Sequence, residues 1–160
     1  GNSCMQAEMK KNRHLYFIVF VVFIIYLAAL CYMLFFAESF GRGHIPDGFD
    51  KINLVPFREM QRFILKWETV GAVSALLNTL GNVIGFIPLG IFVPILFKKT
   101  RRVWKQLLMG FMVSLAVETI QLVFDVGVFD VDDLILNTVG TIVGYALFRL
   151  IVYMIGKRER

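Results

Sequence analysis

Three short rows of polar residues interrupt stretches of this chain that otherwise carry only apolar side chains. Ser114, Glu118 and Gln121 recur at i, i+4 and i+7, and Asn78 and Asn82 are four apart. Asp130, Asp133, Asn137, Gly140 and Gly144 step by three or four, with Asp132 beside them. On helices these spacings set each row on one face. Carboxylates grouped with amides could serve as acid and base, as oxygen ligands for a hard cation such as Mg²⁺, Mn²⁺ or Ca²⁺, or as a binding surface. A fourth pattern is basic: Arg58, Arg62 and Lys66 fall at i, i+4 and i+8, while Phe57, Met60, Phe63, Ile64, Trp67 and Val70 keep helical spacing on another face. That pairing describes an amphipathic helix lying at a membrane surface. Its cations either snorkel to phospholipid headgroups or face a phosphate or other anion on a ligand.

The elements that must carry these rows are membrane spans. Of the 160 residues, 58% are apolar and 18% charged, against about 45–50% and about 25% in an ordinary soluble domain. Four uncharged apolar stretches stand out: Leu15 to Ala37, Thr69 to Phe97, Gln106 to Val117 resuming from Thr119 to Phe124, and Leu134 to Phe148 continuing past Arg149 to Gly156. A span takes about 20 residues, so the rest is too short for a separate soluble domain. The expected fold is an all-α membrane protein: a four-transmembrane-helix bundle with the interfacial helix in its first outer loop. The second stretch holds Gly71, Gly81, Gly85, Pro88, Gly90 and Pro94, so it is expected to kink or to be preceded by a half-helix.

Charge sets the expected orientation. Lys10, Lys11 and Arg13 precede the first span, Lys98, Lys99, Arg101, Arg102 and Lys105 join the second to the third, and Lys157, Arg158 and Arg160 follow the fourth. The positive-inside rule puts all three segments, and so both termini, in the cytoplasm. The net charge of +5 is then topogenic and implies no nucleic-acid partner. Glu38 to Glu68 balances five basic against five acidic residues, and Asp125 to Asp133 holds four aspartates and no cation, as suits outer loops. In this topology the amides of the second and fourth spans and Glu118 and Gln121 of the third reach similar depth. At 1.5 Å per residue Glu118 lies roughly 9 Å below Phe124. Arg149 reads as an inner-leaflet anchor.

An ionisable residue within a span is expensive and faces a cavity or a partner. Glu118 therefore stands out as the most functional of the row, with a pKa expected to rise on desolvation unless a cation is near. Asn78, Asn82, Gln121 and Asn137 can equally be interhelical glue, with Gly140 and Gly144 allowing close approach. Cys4 precedes the first apolar stretch and Cys31 lies inside it near the far end, so membrane thickness separates them and they are not expected to pair. Gly1 to Ser3 read as an expression scar, residues 15–156 as one membrane domain, 1–14 as a cytoplasmic lead and 157–160 as a basic tail.

The whole set resembles the VanZ family of small bacterial membrane proteins. The matching elements are Asn53-Leu54-Val55-Pro56-Phe57; Asn78 and Gly81-Asn82 with Phe86 and Pro88-Leu89-Gly90; Ser114, Glu118 and Gln121; and Asp130, Asp132-Asp133, Asn137, Gly140 and Gly144-Tyr145, over residues 50–146. The resemblance implies a multi-pass protein of a Gram-positive plasma membrane, with an envelope function related to low-level resistance to the lipoglycopeptide teicoplanin. The first expectation is a non-enzymatic protein that binds or excludes a lipid-like or lipid-linked molecule, the antibiotic's acyl tail included. An enzyme acting on a lipid-linked envelope component ranks second. It would use Glu118, Asp130, Asp132 and Asp133, with a divalent cation possible though none is required. No HExxH, GxSxG or P-loop pattern supports it. A lipid transporter or flippase ranks third, since internal repeats are not evident.

Overall fold

The computed structural model describes residues 13–37, 52–57 and 71–158. Its elements are α1 (Arg13–Tyr32, with a π-helical turn over Met33–Ala37), β1 (Ile52–Asn53), α2 (Gly71–Leu96), α3 (Val103–Val123), β2 (Phe129–Asp130) and α4 (Val131–Arg158). All four α-helices are long and apolar enough to cross a membrane. Of the amphipathic helix expected near Phe57 to Trp67, all that follows Phe57, with Arg58, Arg62 and Lys66, lies outside the described residues, as does the side chain of Asn78.

Contacts fix how the helices run. Tyr16 Oη donates to the Leu96 carbonyl at 3.4 Å and Tyr26 Oη to the Gly85 carbonyl at 2.7 Å, so α1 is antiparallel to α2. Neighbouring contacts set α2 and α4 parallel, with α3 antiparallel to both. The bundle thus has two chemically distinct ends. The basic end carries Lys98–Thr100 and Arg101 to Lys105; the acidic end carries residues 52–57 and the α3–α4 connection.

The closest packing is between α2 and α4, and glycine makes it possible. A Cβ on Gly140 would strike the Val83 carbonyl, one on Gly144 the Ile87 carbonyl, and one on Gly90 the main chain at Thr141 and Tyr145. In lipid, where apolar burial gives no net drive between helices, such backbone-to-backbone contact is a main source of association. Aliphatic and aromatic packing fills in around it. Phe23, Leu30 and Leu34 of α1 meet Phe86, Leu89, Val93 and Leu96 of α2, and Tyr145, Phe148 and Val152 of α4 form a second cluster with Ile95.

Helix α2 runs unbroken through Pro88 and Pro94. Each proline removes one main-chain donor. Past the second, Arg101 lies over the Phe148 ring and donates Nε to the Pro94 carbonyl at 2.8 Å, occupying an acceptor that the helix end leaves open. Burial there holds its pKa below the usual arginine value.

Helix α3 is inside out. Its buried positions are Gln106, Gly110, Ser114, Glu118 and Gln121, all polar or small. Its exposed positions include Trp104, Leu107, Leu108, Phe111, Met112, Ile120 and Val123. A soluble helix turns apolar residues inward; here lipid takes that face and the bundle takes the polar one.

Candidate functional site

The acidic end begins where α3 stops. Phe124 closes the helix, Asp125 adopts a left-handed φ of 61°, and the Val126 N–H returns to the Gln121 carbonyl at 3.0 Å. This is a Schellman-type stop in which Asp takes the place usually held by glycine. Asp125 is exposed, unlike the buried acids named beside it in the sequence.

Three of those acids form the entry to α4. Asp130 precedes the helix, and its Oδ1 accepts the Asp132 N–H at 2.8 Å, the arrangement of an N-cap. In a capping box the acid three residues on would reach back to the cap's own N–H. Here Glu118 Oε2 comes from α3 to accept the Asp130 N–H at 3.0 Å, and Asp133 Oδ1 accepts from Asn82 Nδ2 of α2 at 2.5 Å. One helix entry is thus capped by two neighbouring helices as well as by itself. All four carboxylates are buried, Glu118 to 2% exposure.

Residues 52–57 latch onto the same entry. β1 pairs in parallel with β2, Ile52 beside Phe129 and Asn53 beside Asp130. Asn53 Nδ2 donates to Asp130 Oδ2 at 3.1 Å, while its Oδ1 accepts the Val55 N–H at 3.3 Å. Phe57 then takes φ 63°, which aims its N–H at Asp132 Oδ1, 2.5 Å away. A bulky residue in the left-handed region is strained, and such strain collects where surrounding contacts dictate the backbone.

Deeper in the bundle, Asn137 Nδ2 donates to Ser114 Oγ at 2.9 Å and Thr141 Oγ1 to the Asn137 carbonyl at 3.0 Å. Gln121 Nε2 crosses to the Leu34 carbonyl at 2.8 Å, tying α3 to α1 where its helix gives way to the π-turn. The structure therefore brings together Asn82, Ser114, Glu118, Asp130, Asp132, Asp133 and Asn137, with Gln121 on the flank facing α1.

Sequence reasoning passed over four members. Asn53 entered only through the resemblance, and its contact with Asp130 spans 77 residues. Gln106 and Gly110 continue the stripe of Ser114 and Glu118 backwards at steps of four, and both are buried. Thr141 extends the Asn137 row by one turn and packs on Gly110. Extending each stripe to the end of its helix would have found Gln106, Gly110 and Thr141.

Chemically the assembly is a set of acceptors matched to N–H donors. Among the described residues, no three His, Cys, Asp or Glu side chains are grouped as ligands for a metal ion. The acids here cap, latch and join helices.

A four-helix bundle with a buried acidic seat at one end defines a multi-pass membrane protein. The VanZ/LLP1 family profile matches residues 23–152, and the chain belongs to that family. Comparisons with curated proteins and with solved structures find no match.

Proposed function

We propose that this protein acts in the bacterial envelope without catalysis, binding or excluding a lipid-anchored or lipid-like molecule at the outer leaflet, and that its activity is tolerance of a lipoglycopeptide of the teicoplanin type. Residues 52–57 and the α3–α4 connection face outward in this reading, and both termini and the Lys98–Lys105 loop are cytoplasmic. The observation that carries it is the buried seat at the acidic end. Glu118, Asp130, Asp132 and Asp133 are withdrawn from water in a bundle whose outer surface is apolar, and intramembrane acids are costly enough to mark working positions. They accept from neutral N–H donors, which suits recognition of a polar headgroup beside an acyl chain. The basic stripe Arg58, Arg62 and Lys66 adds a place for phosphate.

The test is teicoplanin susceptibility of a bacterial host with and without the protein, read beside mass spectrometry of its lipid-linked envelope pool. Binding requires a rise in tolerance with an unchanged pool. A new or depleted species dependent on Glu118 and Asp133 would replace this reading with an enzymatic one.

A further inference from the structure

One buried polar atom takes no part in the network at the acidic end. Asn137 lies on α4 one turn deeper than Asp133 and is 1% exposed. Its Nδ2 is used by Ser114, but its Oδ1 has no hydrogen-bond partner among the described residues. Buried acceptors are seldom left so, because the desolvation of the oxygen is then uncompensated.

The surroundings say what chemistry would satisfy it. Ser114 Oγ is at the other end of the same amide contact, and Ser114 is 0% exposed. Glu118 stands one turn from Ser114 along α3, and Asp133 one turn from Asn137 along α4, both toward the acidic end. On the other side Thr141 already donates its hydroxyl to the Asn137 carbonyl. The layer is rich in oxygen and negative on one side. An anion has nothing to bind there, and a lipid headgroup has no way into a layer whose residues are sealed. A divalent ion asks for several charged ligands, and the described acids are not grouped to give three. Neutral oxygens backed by carboxylates a turn away suit a small single charge.

We infer that this layer binds a dehydrated monovalent cation of sodium size, ligated by Asn137 Oδ1 and Ser114 Oγ, with Glu118 and Asp133 supplying compensating charge. Such an ion joins α3 to α4 at mid-bundle. It thereby stabilises the inside-out helix at the point where the glycine contacts of α2 and α4 do not reach. The site does not depend on the envelope reading above, since it needs no envelope ligand.

The experiment is thermal unfolding of the full-length protein in detergent micelles, in sodium chloride and in N-methyl-D-glucamine chloride at equal ionic strength. With sodium near a hundredfold above its dissociation constant, the midpoint should rise by about 5 °C or more. The rise should saturate as one site. Ser114→Ala and Asn137→Leu should remove the sodium dependence, and Asn137→Asp should lower the half-saturating concentration by placing the charge directly on the ion. Equal midpoints for the parent protein in the two salts would mean that only a water fills the layer, and would overturn the site. A sodium effect that survives in Ser114→Ala would place the ion elsewhere, with the same consequence. Should Asn137→Leu fail to accumulate, the parent and Ser114→Ala decide the matter. Because the readout is melting, loss of this site would leave the susceptibility test of function untouched, and the reverse holds as well.

Discussion

Glu118 of α3 accepts the main-chain N–H of Asp130, the residue that caps α4, at 3.0 Å. A carboxylate inside one span thus completes the first turn of the next. The usual division between a functional acid and a structural cap does not apply to it. Glu118→Ala would strand the Asp130 N–H and should cost about 1–3 kcal/mol of stability, read as a lower unfolding midpoint in micelles. Glu118→Gln keeps an acceptor of nearly the same size and should lose much less.

That difference separates folding from activity. Glu118→Gln and Asp133→Asn are expected to insert and accumulate like the parent while losing most of the tolerance it confers. Immunoblots of membranes beside susceptibility assays check both halves. Parent-like tolerance at equal expression would return the two carboxylates to a purely structural role.

The glycine contacts give an internal control. Gly144→Ala would press a methyl into the Ile87 carbonyl and should cost about 1–3 kcal/mol or more, as overpacking does. A Cβ on Gly81 meets nothing within 4 Å, so Gly81→Ala should be neutral or gain about 0.4–1 kcal/mol through the unfolded chain. The unfolding midpoint should fall in Gly144→Ala and hold or rise in Gly81→Ala.

The latch at Phe57 is strained for a side chain and not for glycine. Stability should rank Phe57→Gly above the parent and the parent above Phe57→Val, with steps of about 1 kcal/mol, because β-branching makes the left-handed region still costlier. Asp132→Ala removes the acceptor for the Phe57 N–H. Hydrogen exchange at residues 54–57 should quicken in that variant while α2 stays protected.

Orientation is checked by labelling. A cysteine introduced as Gly48→Cys should react with an impermeant thiol reagent on intact cells, and one introduced as Lys98→Cys only after lysis. Arg149 is exposed on α4, and Arg149→Lys should match the parent in both expression and tolerance.

Much of this arrangement was legible because lipid simplifies the code. With apolar side chains everywhere else, a residue such as Glu118 or Asn82 declares its face, and the rise per residue declares its depth. The same arithmetic set Asn82, Glu118 and Asn137 at similar depth. The latch was not legible. Ile52-Asn53 and Phe129-Asp130 are two residues each, too short for any alternation to register, and the contact of Phe57 with Asp132 depends on a backbone angle that no pattern of side chains announces. Gln106 was hidden differently: at the edge of an apolar stretch a single amide reads as a boundary, and only burial shows it continuing the stripe of Ser114 and Glu118. The link from Gln121 to the Leu34 carbonyl escaped because main-chain acceptors carry no sequence signature.

The inside-out character of α3 also bears on the order of biogenesis. As it leaves the ribosome this segment offers the lipid Gln106, Ser114, Glu118 and Gln121, the residues that later face inward, and each polar group lowers its own preference for hydrocarbon. The residues that relieve Ser114 and Glu118 are Asn137 and Asp130, which emerge only afterwards. Until then the third segment is a reluctant passenger, held by its flanking cations or by the insertion machinery. The arrival of α4 is therefore what completes the burial of the polar face of α3.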